Sequence, residues 1–316
     1  MKRINHADNI ISAVESGSVG SRLTASWRRS LNKHGLDPTL SHAPRRFESA
    51  EINDRRDGMG SFMTVATPKL DQLFQMVGQT GCCVLLTDRE GVVLDLRSSD
   101  GDAATFEKWG LWYGADWSEE AEGTNGIGTC IAEARQITIH RNEHFLSRNT
   151  AMSCMDAPIF GPDGELIAAL DVSSCRADQT ESYSRLISGV VAQTAKQIET
   201  EAFRAAFPKA RIVTSPEERP EGAVLLAVDS DDLIVGATRA ARRVFGLGQG
   251  GALTPRPASD ILGRDTTASA LERAERAALK RAIARSGGNL SAAARALGIG
   301  RATLYRRMGR LGIDVA

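Results

Sequence analysis

Apolar and polar positions along the chain follow different periods in different stretches. An apolar run at residues 82–86, a polar turn at Asp88-Arg89-Glu90-Gly91 and a returning run at 92–96 predict a hairpin. A second hairpin is predicted where residues 155–160 lead through Gly161-Pro162-Asp163-Gly164 into 165–172; proline presets one φ of that turn and glycine permits the other. Residues 136–139 read as a further strand. A short helix over 69–77 precedes the first hairpin, and a long helix over about 181–206 follows the second. Residues 223–228, a turn at 229–232, 233–235 and a helix near 238–245 repeat the hairpin-then-helix plan on a smaller scale. At the end, Ala278, Leu279, Ala282 and Ile283 form one helical stripe, and Gly287-Gly288 stops it. Asn289 or Ser291 can cap a second helix running to Leu297, and Gly298-Ile299-Gly300 turns the chain. Leu304, Met308 and Leu311 then stripe a third helix that starts at Arg301. Antiparallel hairpins flanked by helices, followed by helices alone, predict a multidomain α+β chain with an all-α end.

Composition narrows the class. At 316 residues the chain is long enough for two or three domains. No apolar run is long enough to span a bilayer, and the polar segment after Met1-Lys2-Arg3-Ile4 is not expected to be a signal peptide. The five cysteines, Cys82, Cys83, Cys130, Cys154 and Cys175, are an odd number with no CxxC pair, so a reduced, cytoplasmic protein is expected. Formal net charge is zero, but residues 271–313 hold ten basic and two acidic side chains, a net of +8, which leaves −8 on the rest. A basic end on an acidic body is the asymmetry of a nucleic-acid-binding tail.

The three C-terminal helices resemble the Fis-type helix-turn-helix. Asn289, the small residues Ala292, Ala293 and Ala294, Leu297-Gly298-Ile299, Arg301, Thr303-Leu304 and Arg306 carry the resemblance over about 40 residues. It implies that the third helix enters the major groove of double-stranded DNA and that the module acts as a homodimer. By position Arg301, Ala302, Thr303 and Arg306 are the candidates for base edges, Arg307 and Arg310 for phosphate, with Tyr305 on the same outward face.

The middle of the chain resembles the GAF domain of acetoin-catabolism-type (AcoR-like) regulators. The motifs are EGTNGIGTC at 122–130, IHR at 139–141, EHF at 143–145, Ser153-Cys154, APIF at 157–160 and LDVSS at 170–174. Upstream, SWRRS at 26–30 and GLDP at 35–38 match the same family's N-terminal helices. The resemblance implies a small-molecule effector, of the kind of acetoin or another small alcohol, ketone or aldehyde, and a contact with RNA polymerase is open. Residues 222–265 resemble the first part of a PAS domain, interrupted by Pro255-Arg256-Pro257; a truncated PAS-like segment or a spacer fits. The expected organisation is 1–65 N-terminal helices, 66–207 GAF-like sensor, 208–221 linker, 222–265 partial PAS-like segment or spacer, and 270–316 helix-turn-helix. Many relatives of this kind carry an ATPase domain between sensor and helix-turn-helix. Here no Gly-Lys dipeptide offers a P-loop and only about 60 residues separate the two regions, so ATP hydrolysis is not expected.

Candidate chemistry clusters in the sensor. Trp109, Trp112, Tyr113 and Trp117 gather four of the chain's sixteen aromatics within nine residues, suited to a ligand-pocket wall or to core packing. Gly123–Gly128 has phosphate-loop spacing, but Glu119, Glu120 and Glu122 would repel phosphate; the segment reads as a helix start whose Thr124 and Asn125 can line a pocket. Cys130 and His140 complete the candidate ligand set. His140 and His144 are four apart, yet the strand before them breaks a helical metal face, and no metal or other cofactor is expected. No GxSxG, HExxH or kinase signature occurs, so an enzyme is not expected. Two other readings stay open: a regulator that senses redox state or metal through its cysteines, and a Fis-like architectural DNA-binding protein.

Overall fold

The computed structural model describes residues 5–16, 21–176, 178, 180–215, 222–262 and 270–313, without the side chains of Ala270 and Arg273. The leading residues 1–4, the 216–221 part of the expected linker, 263–265 of the expected spacer, the charge of Arg273 and residues 314–316 of the expected helix-turn-helix lie outside the described residues. The chain divides into two units, Met1–Ala258 and Ser259–Ala316.

In the first unit α1 (His6–Glu15), α2 (Arg22–Arg28), which runs on into a π-helical turn, α3 (Ser49–Gly58) and α4 (Ser61–Val77) come first. They are followed by β1 (Cys82–Asp88), β2 (Val93–Arg97), α5 (Asp100–Trp109), α6 (Glu119–Glu122), α7 (Gly126–Glu133), β3 (Ile137–His140), β4 (Ser153–Phe160), β5 (Leu166–Ser174) and α8 (Glu181–Ala206). The five strands make one antiparallel sheet in the order β2-β1-β5-β4-β3. Side chains alternate between its faces. Val84, Leu86, Leu170 and Val172 pack on α4 and α8. Cys83, Leu85 and Val93 turn the other way, beneath Phe106, Leu111 and Trp117. Both faces are covered, and for that reason residues 82–86 form an unbroken apolar run.

The helix expected to begin at Lys69 begins eight residues earlier, with Pro68 inside it. Its buried stripe of Phe62, Met63, Ala66, Leu70, Leu73 and Val77 runs past the proline. Burying that stripe outweighs the roughly 3 kcal/mol that an interior proline costs. A domain boundary at residue 65 therefore falls within α4. The helices before it belong to the sensor unit: Ile10 is buried with Phe145 and Leu146, and Trp27 Nε1 donates to the Glu143 carbonyl at 2.8 Å.

Beyond α8, β6 (Arg211–Thr214), β7 (Leu225–Val228), β8 (Leu233–Ala237), α9 (Arg239–Phe245), β9 (Arg256–Pro257) and α10 (Ala258–Ile261) follow. Four strands form a second antiparallel sheet in the order β6-β7-β8-β9. Two expectations are corrected here. Residues 211–214, placed in a linker, form an edge strand on β7. Arg256-Pro257, taken as an interruption, pairs with Leu233 and Ile234; at a sheet edge a proline withholds no needed N–H. The end of α8 reaches this sheet, where Phe203 and the adjoining Phe207, ring centroids 5.0 Å apart, pack with Leu225 and Ala227.

The second unit is α11 (Ala270–Arg285), α12 (Leu290–Ala296) and α13 (Arg301–Arg310) around a core of Leu279, Ala293, Leu304 and Met308.

Candidate functional site

Local chemistry positions the C-terminal helices. Gly287 and Gly288 both take positive φ, +56° and +82°, where a side chain would be strained, and so end α11. The Asn289 side chain caps α12 by accepting from the Ala292 N–H at 3.1 Å. Ala293 and Ala294 are buried, and their small side chains let α12 lie close on α13. On α13, Leu304 and Met308 point inward, while Arg301, Ala302, Tyr305, Arg306 and Arg310 are exposed and Thr303 and Arg307 half-buried. The Arg301 guanidinium lies 5.6 Å from the Tyr305 ring centroid. Arg307, at 3.1 Å, and Arg310 both pair with Glu275 of α11. Arg276 Nη1 donates to the Leu311 carbonyl at 3.0 Å, tying α11 to the end of α13.

In the sensor, the candidate ligand residues separate into two groups. Trp117 is fully buried, and its Nε1 donates to the Gly110 carbonyl at 3.0 Å. Trp109 packs edge-on to Phe106, and Trp112 sits under the Arg46 guanidinium with its own buried Nε1 unpartnered. These three join the second face of the five-stranded sheet. Thr124, Asn125 and His140 have their polar atoms engaged in holding the chain. Thr124 Oγ1 lies 2.8 Å from Ser26 Oγ of α2. Asn125 accepts from the Gly128 N–H at 2.9 Å and donates to the carbonyls of Trp117 and Gly123. His140 Nδ1 lies 2.8 Å from Ser153 Oγ. Cys130 is fully buried, and burial pushes its thiol well above the ordinary range. Two of the three acids read as repelling phosphate are countered by cations: Arg29 grips Glu119 at 2.7 and 2.8 Å, and Arg148 pairs with Glu122. Burial still pushes the Glu122 carboxyl up to about 7.

Sequence reasoning passed over two central residues. Asp156 and Asp171 are register partners on β4 and β5, both fully buried. Both oxygens of Asp156 and Oδ1 of Asp171 find no donor from any other group, and the two carboxyls face each other. Burial pushes Asp171 up to about 7 and Asp156 well above the carboxylate range, the neighbouring carboxylate adding to the latter. Two such groups side by side cannot both ionise cheaply, so near neutral pH the pair keeps a proton. Ser173 Oγ lies 2.7 Å from Asp171 Oδ2 and 3.2 Å from Cys154 Sγ, which in turn is 3.4 Å from His144 Nε2. Burial brings His144 down to about 4, so its ring is neutral. Its Nδ1 donates to the Arg141 carbonyl at 3.0 Å, which leaves Nε2 to accept from the Cys154 thiol. Gly126, at the start of α7, permits this packing: a Cβ there would overlap Asp156 Oδ2 and Cys154. Each acid stood in the sequence as a lone charge inside an apolar strand, Met155-Asp156-Ala157 and Leu170-Asp171-Val172. Among the described residues no three His, Cys, Asp or Glu side chains converge as a metal site.

A GAF-like α+β sensor followed by a basic helix-turn-helix defines a transcription regulator. Residues 4–200 match the family described as MimR, N-terminal domain, and residues 270–311 that described as bacterial regulatory protein, Fis family. The chain belongs to the MimR/AcoR-like regulators with a Fis-type DNA-binding end. It is 32% identical over 245 residues to the acetoin catabolism regulatory protein of Cupriavidus necator, covering 76% of this chain and 36% of that one. It is 29% identical over 170 residues to the propane 2-monooxygenase operon transcriptional activator MimR of Mycolicibacterium smegmatis, covering 54% and 28%. The chain thus spans about a third of the length of these curated relatives. In the crystal structure of the E. coli DhaR(N)–DhaL complex, one chain superposes with a TM-score of 0.52 at 13% identity, covering 75% of this chain and 80% of that one, a likeness of fold. The stretch between the two matched regions, residues 201–269, holds the small sheet and has no room for a central ATPase domain, so the chain is a regulator without that enzyme. No helix among the described residues is long and apolar enough to cross a membrane.

Proposed function

We propose that the protein binds a specific DNA site as a homodimer and that a small oxygenated molecule, an alcohol, ketone or aldehyde, controls its binding through the sensor. One observation carries the DNA reading: α13 buries Leu304 and Met308 and presents Arg301, Ala302, Tyr305 and Arg306 on its open side. In this arrangement Arg301, Ala302, Thr303 and Arg306 meet base edges in the major groove, and Tyr305 stays beside Arg301. Arg307 and Arg310, leaning on Glu275, reach phosphates from the flank. The relatives named for acetoin catabolism and for a propane 2-monooxygenase operon support an effector of that size. The second sheet face is the proposed effector site, with the tryptophans Trp109, Trp112 and Trp117, and with Cys130 of α7 near the Asp156–Asp171 pair. The unpartnered Nε1 of Trp112 can donate to a carbonyl or hydroxyl, and the Asp156–Asp171 pair, which finds no donor beyond itself, can accept from a hydroxyl. Thr124, Asn125 and His140 support this face from outside it. Buried, neutral thiols at Cys83, Cys130 and Cys154 favour this reading over a redox sensor.

Footprinting of the protein on its own upstream region tests the reading, repeated with Arg301→Ala and Arg306→Ala. A protected near-palindrome, lost in both variants, is the expected result. Equal binding to random DNA at moderate salt would overturn site-specific regulation.

A further inference from the structure

β3 is an outer strand of the five-stranded sheet, and its second edge has no strand beside it. The ladder to β4 fixes which groups face that edge. The Arg141 N–H donates to the Met152 carbonyl at 2.8 Å, one step beyond the pairing of His140 with Ser153. In an antiparallel ladder such exchanging pairs recur at every second residue, so Ile137 and Ile139 bond to β4 while Thr138 and His140 turn their N–H and C=O outward. His140 agrees with this: its N–H donates to Glu143 Oε2 at 2.7 Å. The outward N–H and C=O of Thr138 have no such partner among the described residues. A cavity of about 360 Å³ lies along this edge. Thr129 of α7 and Ser188 of α8, from opposite faces of the sheet, both border it, and α2 closes it with Ser26. Its polar lining is rich in hydroxyls. Ser26 and Thr129 are buried and both donate to Glu119. Thr138 Oγ1 lies 3.3 Å from Ser188 Oγ, which Gln136 Nε2 also reaches at 2.8 Å. Charge is sparse and of both signs. Arg135 is spent on Glu133 at 2.6 Å and on the Gln136 carbonyl at 3.2 Å. Arg22 and Glu143 also line the cavity, and neither has an ion-pair partner among the described residues.

We infer that this cavity binds a free L-α-amino acid with a small polar side chain, paired with Thr138 as a single residue of an added strand. An antiparallel neighbour exchanges two hydrogen bonds with the residue opposite, and a free amino acid carries both halves of that exchange. Its carboxylate accepts from the Thr138 N–H, and its ammonium donates to the Thr138 carbonyl. Ionised groups make both bonds stronger than their counterparts in a sheet. Strand direction places the charges. Along the open edge the group after the Thr138 carbonyl is the His140 N–H, where the Glu143 carboxylate already sits, so the ammonium meets that acid. Arg22, the unpaired cation of the cavity, serves the carboxylate. Residues opposite each other in a ladder put their side chains on the same face. An L side chain therefore falls on the Thr138 face, by the Ser188 hydroxyl and the Gln136 amide, which suits a hydroxyl or an amide. The volume sits at the low end for small-molecule sites, roughly 300–1,000 Å³, as a single amino acid requires. A bound molecule would join α2, α7, β3 and α8. The cavity shares no residue with the second sheet face, and the inference does not depend on that site or on DNA binding.

Isothermal titration of the full chain without DNA tests it, with L-serine, L-threonine, L-asparagine and L-glutamine as probes, each alone. At least one is expected to bind, at a single site. For the tightest of them, the N-acetyl derivative, the α-carboxamide and the D-enantiomer are each expected to bind weaker by about tenfold or more. Arg22→Gln and Glu143→Gln, which keep hydrogen-bonding groups in place and remove charge, are each expected to weaken it to a similar degree, with melting curves confirming that they fold. Absence of binding by all four probes overturns the inference. So does a derivative or D-enantiomer that binds as tightly as its parent, since pairing with Thr138 needs both ionised groups and one hand. Affinity unchanged in either folded variant overturns it too, and where a variant does not fold the derivatives decide.

Discussion

Replacing Asp171 with asparagine should stabilise the protein, and more so as pH rises. The folded chain holds this carboxyl at about 7, against about 3.9 when unfolded. Below pH ~3.9 the group is neutral in both states and costs nothing. Between ~3.9 and ~7 the unfolded chain releases its proton while the folded chain keeps it, so stability falls by about 1.36 kcal/mol per pH unit. Above pH ~7 the loss is complete and on the order of 4 kcal/mol. An asparagine has the same shape, stays neutral throughout, can accept from Ser173 Oγ as Asp171 Oδ2 does at 2.7 Å, and can donate to the unpartnered Asp156. Urea unfolding followed by tryptophan fluorescence, wild type against Asp171→Asn, should show a gain at pH ~8.5 larger than that at pH ~5 by about 2–3 kcal/mol. A gain independent of pH, or one greater in acid, would refute the claim that the paired carboxyls oppose folding near neutral pH.

Three further outcomes are expected. Asn289→Ala removes the cap of α12 and should cost the C-terminal unit about 1 kcal/mol, read as a lower melting temperature of that unit, with Asn289→Ser largely restoring it. Glu275→Gln releases Arg307 and Arg310 from their shared carboxylate, so affinity for random DNA should rise and its salt dependence steepen; a flat salt slope in gel shifts would count against phosphate roles for both arginines. Leu70→Ala opens a void where α4 meets the sheet and should cost about 2–5 kcal/mol in denaturant unfolding, while DNA affinity per folded molecule is unchanged.

What could be read in advance was whatever the chain decides locally. The Pro162-Asp163-Gly164 turn, the long period of α8 and the Asn289 cap each act within a few residues, and their elements stand where the pattern put them. β6 was hidden because its four residues are partly exposed and take their strand form from β7, supplied from beyond a stretch rich in Pro and Glu. The start of α4 was hidden because Pro68 is a stronger local mark than the distant strands that bury Phe62 and Ala66. The aspartate pair was illegible for a related reason. An acid alternating with apolar residues in a strand ordinarily marks the wet face. Here α7, brought near by Gly126, together with Phe106, Leu111 and Trp117, makes that face dry.

α8 also sets a condition on anyone who would graft this sensor onto another output. It is a continuous rod of 26 residues, roughly 39 Å long, covering one sheet with Ile187, Val191, Ala195, Ile198 and Ala202 and seating the other with Phe203. Every residue added to or removed from such a rod turns whatever follows by roughly 100° and slides it by about 1.5 Å. A chimera joined inside α8 therefore has to respect helical phase, and splices three or four residues apart should alternate with silent ones between them. A junction placed after β9 escapes that constraint, since both sheets then travel together as one cassette.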